Sequence, residues 1–437
     1  MNNGIDFGKD GIWKILFKLA PPVMAAQLIQ ALYNMVDSIF VGRYSEAGLT
    51  ALSIIYPIQL LMIAVAVGTV VGINTLLAPY IGMGKVKEKD ETAGTATLLA
   101  LVMWAVFATV SFFLMPKYAG MSTKSPEIIK EVVTYGRIVS VLSIGLFLES
   151  AWTKVLQSEG NMKLPMIAQI AGAVINIILD YLLIFGIGFF PALGIAGAAV
   201  ATVTGQIAAA VIVMTKGFRK SPPLSVYKKY VKKIYYLGFP NILMQSAYTF
   251  YIFGLNMILK GFTDQAVTTL GLYYKWQSFF FIPLGAMQTC IVPVISYNYG
   301  AGMYDRCKKT LKDAVIFGWT LMIIGTLCFE IIPGPMLRVF SRDAKVIEIG
   351  VNAFHIIGMS FILLVTSLTF PVYFQAIGQS VKSSLLTVLR TVVLFVPLGW
   401  LFSKLGLKYF WCTFPVTEFI TTAAGLIMLK RFRGNYE

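Results

Sequence analysis

The strongest constraint on this chain is a succession of long apolar runs. A helix needs about 20 mostly apolar residues to cross a bilayer. On that criterion the sequence offers twelve spans, over residues 12–41, 51–80, 95–116, 128–156, 164–186, 194–216, 234–259, 265–295, 313–333, 346–374, 384–402 and 409–430. Turn-forming or charged stretches separate them, among them "GRYSEAG", "GMGKVKEKDE", "GFFPALG", "KGFRKSPPLSVYKKYVKK" and "GAGMYDRCKK". Only 13% of the residues are charged, about half the share of an ordinary soluble domain. The expected fold is therefore an all-α polytopic membrane protein with twelve transmembrane helices. No small-residue cleavage pattern follows the first apolar run, so it is expected to be retained as a helix.

The formal charge of +16 invites a nucleic-acid reading, but its distribution points elsewhere. With the N-terminus inside, Lys and Arg favour the cytoplasmic loops over the outer ones by roughly two to one, as topology requires. Both termini are expected in the cytoplasm of a cell-membrane protein, with the bilayer and small molecules as partners and no nucleic acid. Cys290, Cys307, Cys328 and Cys412 show no CxxC pairing, and read as buried thiols with neither disulfides nor a metal site.

The chain repeats itself. "LAPPVMAAQLIQALY" (19–33) aligns with "LGFPNILMQSAYTFY" (237–251), matching Leu19, Pro22, Gln27 and Tyr33 with Leu237, Pro240, Gln245 and Tyr251. The offset is 218 residues (240 less 22), and "YIGMGK" (80–85) meets "NYGAGM" (298–303) at the same offset, as "QSEG" (157–160) meets "QAIG" (375–378). Two six-helix lobes follow, residues 1–217 and 218–437, joined by a basic linker at about 216–233. Six is an even number, so both lobes share one topology and are related by a pseudo-two-fold along the membrane normal, enclosing a central cavity. A functional monomer is expected.

Within these spans, ionisable residues are expensive and mark functional sites. Asp37 stands near the outer end of the first span. In "VINIILDYLLIFG" of the fifth, Asn176 and Asp180 share a face at i,i+4 spacing. Thr202 lies in the sixth. At 1.5 Å per residue all four come within roughly 8–15 Å of the outer helix ends. Neighbouring carboxylates in a dry site favour proton binding, and the same oxygens suit a hard cation. The competing reading is that the acids merely cap helices or snorkel to the interface. At the 218 offset Asp37 meets Leu255 and Asp180 meets Leu398, so the acids belong to the first lobe alone and no acidic site is expected in the second.

Other polar groups read less sharply. Glu159, with Gln157 beside it, is either a proton relay or attractor of cationic substrates, or an exposed loop acid. Gln157 and Gln375 match across the repeat, which suggests a shared turn role. Glu149 is expected to form a structural ion pair with Lys154. Arg390, an intramembrane cation, is expected either to face the cavity, as a proton-relay or substrate group, or to pair with Glu418 or Glu330. His355 is a satisfied core residue or a proton relay. Tyr33, Met244, Tyr248 and Met287 are candidates for an adaptable, aromatic substrate cavity.

Taken together, "PPVMAAQLIQALYNMVDSIFVGR", "QSEGNMKLP", "NIILDYLLIFG" and "GIAGAAVATV", in this order and spacing, resemble the multidrug and toxic compound extrusion (MATE) family of prokaryotic type, over nearly the whole chain. The resemblance implies a coupling-ion site at Asp37, Asn176, Asp180 and Thr202. It also implies a secondary transporter rather than an enzyme, with H+ or Na+ as its coupling ion and no other cofactor. The expected function is cation-coupled antiport that exports diverse cationic or amphipathic organic compounds by alternating access. A lipid-linked precursor flippase is the alternative. It needs a strongly basic cavity, and only Arg137, Lys275 and Arg390 are intramembrane bases. A membrane-embedded transferase is disfavoured by the lack of a DDxxD-like run.

Overall fold

The computed structural model describes residues 5–433, and among them it is helical without a strand. The ends of the chain, whose cytoplasmic placement the charge bias suggests, lie outside the described residues at 1–4 and 434–437. In chain order the spans are α1 (Ile12–Tyr44), α2 (Glu46–Gly82), α3 (Val86–Ser122), α4 (Pro126–Val141 and Ile144–Ser158), α5 (Lys163–Phe185) and α6 (Ile195–Gly217). They continue with α7 (Leu224–Lys260), α8 (Asp264–Phe280 and Ile282–Gly300), α9 (Tyr304–Ile331), α10 (Ala344–Gly358 and Phe361–Ala376), α11 (Ser380–Ser403) and α12 (Thr413–Arg433). Nine helices among the described residues are long and apolar enough to cross a membrane, and three bent pairs bring the number to 12. The protein is a twelve-span, all-α polytopic membrane protein.

The bends in α4, α8 and α10, of 41°, 49° and 56°, have local causes. In α4 the Ser143 hydroxyl donates back to the Ser140 carbonyl at 2.7 Å, and in α10 Ser360 does the same to Ile357 at 2.6 Å. Such back-bonding draws a carbonyl out of the helical ladder. In α8 the break at Phe281 stands two residues before Pro283, which supplies no N–H to the ladder. Helix starts are chemically marked: Ser45 accepts from the Gly48 amide and Thr263 from the Ala266 amide.

The chain forms two compact units. The first comprises Pro21–Gly238; the second comprises Phe7–Ala20 and the chain from Phe239 onward. The divisions after Ala20 and Gly238 are again 218 residues apart, beside the repeated prolines Pro22 and Pro240. In the first unit small residues let helices approach closely, with Ala51, Ala66, Ala93, Ala96, Ala151, Ala198 and Ala199 in one buried cluster. Gly172 of α5 and Gly205 of α6 cross so tightly that a Cβ on either would lie 2.6 or 2.5 Å from the other's carbonyl oxygen. The basic segment is strapped to this unit. Arg219 donates twice to Glu159, at 3.0 and 3.1 Å, and Tyr230 donates to Glu91 at 2.6 Å.

The second unit is packed with aromatic rings instead. Tyr251 stacks on Phe395 at 4.6 Å between centroids, and Phe329 on Phe354 at 4.5 Å, with Tyr273 edge-on to Phe329 and Phe414. At its N-terminal edge Phe7 is fully buried, and its carbonyl accepts from Asn298 at 3.0 Å and Arg306 at 2.8 Å.

Candidate functional site

In the first unit α1, α5 and α6 bring Asp37, Asn176, Asp180 and Thr202 together. Asp180 is wholly buried and Asn176 nearly so; both lie on the inner stripe of α5 with Gly172 and Ala173. The Asn176 amide donates weakly to the Thr202 hydroxyl, at 3.5 Å, and Asp37 acts electrostatically on Asp180. The polar bookkeeping is unusual. Both carboxylate oxygens of Asp180, Oδ1 of Asp37 and the Asn176 carbonyl oxygen have no hydrogen-bond partner among the described residues. Buried acceptors are rarely left so. Four bare oxygens from two helices, with the Thr202 hydroxyl of a third beside them, make a place for a hydrogen ion or a hard cation. No group of three or more His, Cys, Asp or Glu among the described residues has metal-site geometry, so any cation held here is held in part by amide and hydroxyl oxygens.

Two cavities flank this cluster. The larger, about 340 Å³, is lined by Asp37, Tyr33, Gln30, Tyr56, Gln59, Tyr135 and Thr202, and its size is within the range of small-molecule sites. The smaller, about 80 Å³, is lined by Glu149, Gln169, Gly172, Asn176 and Gln206. Tyr33, Gln30, Thr202 and Gln206 border both. Tyr135 and the four glutamines Gln30, Gln59, Gln169 and Gln206 did not stand out in the sequence. Glutamine in an apolar run is the signal that was there to find: Gln59 donates to the Tyr135 hydroxyl at 3.3 Å.

The remaining candidates go elsewhere. Lys154 acts on Glu149 electrostatically, in the sense of the expected ion pair, and the hydrogen bonds to Glu149 come from neutral groups. The Glu149 Oε1 accepts from Thr153 at 2.8 Å and Gln169 at 3.4 Å, while Lys154 donates to Gln157 at 2.7 Å. Glu159 is the partner of Arg219. In the second unit Arg390 takes Glu418, not Glu330. Its Nε and terminal nitrogen reach the carboxylate at 3.1 and 2.6 Å, Ser367 also donates to it, and the guanidinium lies 4.9 Å over the Phe395 ring. Both ends of this ion pair are buried. Glu330 instead meets His355 at 2.9 Å, with both side chains partly exposed. Tyr248 is partly exposed and donates to Gln277 at 3.3 Å; Met287 is fully buried in α8, and Met244 is half-buried in α7.

A bundle of twelve apolar spans with buried polar clusters and a drug-sized cavity defines a multi-pass membrane transporter. The MatE family profile matches the chain twice, over residues 22–182 and 240–401, and the chain belongs to that family of multidrug efflux transporters. It is a secondary transporter, not an enzyme. Among curated relatives it is 24% identical to a "FAD transporter" of Shewanella oneidensis, covering 96% of this chain and 95% of that protein. It is 25% identical to "Probable multidrug resistance protein NorM" of Thermotoga maritima, over 92% of this chain and 88% of that one. It is also similar to "Multidrug export protein MepA" of Staphylococcus saprophyticus, at 22% identity over 98% and 95%. Among solved structures, an outward-facing multidrug resistance MATE family transporter of the MOP superfamily superposes with TM-score 0.90 at 21% identity, covering 99% and 98% of the two chains.

The two family matches start 218 residues apart (240 less 22) but end 219 apart (401 less 182). The extra residue lies in α11, where Leu389–Phe395 form a wide π-helical turn, the usual result of one insertion into a helix. Up to Leu394, within this turn, buried positions agree at 218: Ala168 with Leu386, Gly172 with Arg390, Asn176 with Leu394. Beyond it, buried Asp180 corresponds to buried Gly399, so the expected pairing with Leu398 is one residue off. Gly399 packs against Leu255, the counterpart of Asp37, so closely that a Cβ would lie 2.8 Å from a Leu255 methyl. An apolar contact thus stands where the first unit has its two acids.

Proposed function

We propose that this protein is a cation-coupled antiporter, driven by H+ or Na+, that exports amphipathic organic cations by alternating access across the cytoplasmic membrane. The observation that carries this reading is the set of bare, buried oxygens on Asp37, Asp180 and Asn176. A transported cation satisfies them in one state of the cycle and leaves them open in another. A ligand drives a conformational cycle only by binding its states unequally, and a site that is costly when empty meets that condition. The 340 Å³ cavity beside Asp37, edged by tyrosines, glutamines and one acid, suits a flat cationic or amphipathic molecule. Positive-inside loop bias supports cytoplasmic termini.

The flippase alternative is weakened by the intramembrane bases. Arg390 is neutralised by Glu418, Arg137 lies over Phe112 and donates to its carbonyl, and Lys275 sits over Phe340. None lines either cavity beside the acids. The test is ethidium efflux from proteoliposomes under separately imposed H+ and Na+ gradients. One gradient should drive efflux, and the Asp37→Asn/Asp180→Asn double variant should lose the dependence. Gradient-driven efflux that survives in the double variant contradicts the assignment.

A further inference from the structure

The smaller cavity of the first unit adjoins the Asp37–Asp180 cluster, sharing Asn176 and Thr202 with it, and extends beyond it to Glu149 and Gln169. It opens on Glu149, Gln169, Gly172, Asn176 and Gln206. The Asn176 carbonyl oxygen is buried with no hydrogen-bond partner, and so is Oε1 of Gln206. Glu149 is itself buried, and both of its donors, Thr153 and Gln169, reach the same oxygen. The walls therefore present an excess of acceptors over donors, arranged around a carboxylate.

The repeat shows what such a space holds. Gly172 corresponds to Arg390 (390 less 218), and Glu149 corresponds to Ser367 (367 less 218), within the stretch where buried positions still agree at that offset. In the second unit Arg390 extends a guanidinium to Glu418, with Ser367 donating to the same carboxylate. In the first unit the arginine is a glycine and the space is a cavity, while the hydroxyl is a carboxylate. One lobe carries a built-in cation where the other has room and acceptors for a mobile one. The volume, about 80 Å³, admits a few waters and an ion and falls well short of the roughly 300 Å³ of a drug-sized site. Gln169 lies seven residues before Asn176 on α5, about 10 Å farther toward the inner helix end at 1.5 Å per residue.

We propose that Glu149, with Gln169, Gln206 and Asn176, forms an inner station for the coupling cation between the Asp37–Asp180 cluster and the cytoplasmic side. This rests on the antiporter reading above. The charged or titratable groups that act on Glu149 are Lys154 on its own helix and Tyr33 of α1. The test uses the full-length chain in proteoliposomes, with radioactive sodium and an internal pH dye reporting ion flux and ethidium fluorescence reporting substrate binding. Glu149→Gln should lower gradient-driven ion flux by at least about tenfold, with ethidium binding and the unfolding midpoint unchanged, and Glu149→Asp should recover part of the flux. If Glu149→Gln does not fold, Gln169→Leu decides the same question, because Gln169 donates to Glu149 and lines the smaller cavity but not the larger one. Flux equal to wild type overturns the proposal, as does a loss of ethidium binding in step with flux, which makes Glu149 a substrate contact. If wild-type flux answers to neither gradient, the antiporter reading itself falls and the station with it. If Asp180→Asn abolishes flux while Glu149→Gln does not, only the station falls.

Discussion

The two lobes share a helix order and a repeat, and they resolve buried charge in opposite ways. The second lobe closes its account internally: Arg390 and Glu418 neutralise one another, Ser367 takes a further acceptor, and aromatic rings fill the surroundings. The first lobe leaves acids and amides bare beside two cavities. Pairs retained between them, Tyr33 with Tyr251, Tyr56 with Tyr274 and Gln59 with Gln277, show that the frame is common. What differs is whether the cation is part of the chain. A duplicated fold can thus keep one half as a rigid frame and make the other depend on a ligand.

The contrast can be broken most severely in the second lobe. Glu418→Gln leaves the Arg390 guanidinium buried and unpaired, and should cost about 3–5 kcal/mol in unfolding stability, whereas Arg390→Met with Glu418→Leu should cost far less. Denaturation of the purified variants measures both. Leu255→Asp places an acid where the second lobe has an apolar contact with Gly399. It should destabilise by about 2.5–3.5 kcal/mol and create no new ion dependence in efflux. Gly205→Ala drives a methyl toward the Gly172 carbonyl and should cost about 1–3 kcal/mol. By contrast, Gly271→Ala, with nothing within 4 Å of the new methyl, should be neutral or slightly stabilising, as thermal unfolding will show. Smallest of the losses, Glu159→Gln loosens the strap from Arg219. With both side chains about a quarter exposed, the loss should be about 0.2–1 kcal/mol, and it should shrink further in high salt.

Much of this was legible in the sequence. Twelve spans, the repeat and the convergence of Asp37, Asn176, Asp180 and Thr202 follow from apolar length, constant offset and helical spacing. The bends in α4 and α10 were not legible, because hydropathy does not register a serine hydroxyl turning back on its own helix. The wide turn in α11 was missed for a related reason: one inserted residue leaves composition unchanged but rotates everything beyond it, so Asp180 was matched to Leu398 instead of Gly399. Lys154 acts on Glu149 electrostatically, as proximity along the chain suggests, but that proximity does not disclose the hydrogen-bond donors. Five residues apart, the two lie on different helix faces, while Thr153, four apart, lies on the same one. The partner of Arg390 could be narrowed to two glutamates, and only packing distinguished Glu418 from Glu330.

The central claim is that ion coupling resides in the lobe whose acids are bare. It is tested most directly by comparing ethidium efflux under an imposed ion gradient for Asp180→Asn and for the Arg390→Met/Glu418→Leu variant, side by side in proteoliposomes. Efflux should lose its gradient dependence in Asp180→Asn and keep it in the double variant. The reverse result, with dependence kept when Asp180 is an amide and lost when the Arg390–Glu418 pair is removed, would contradict the account.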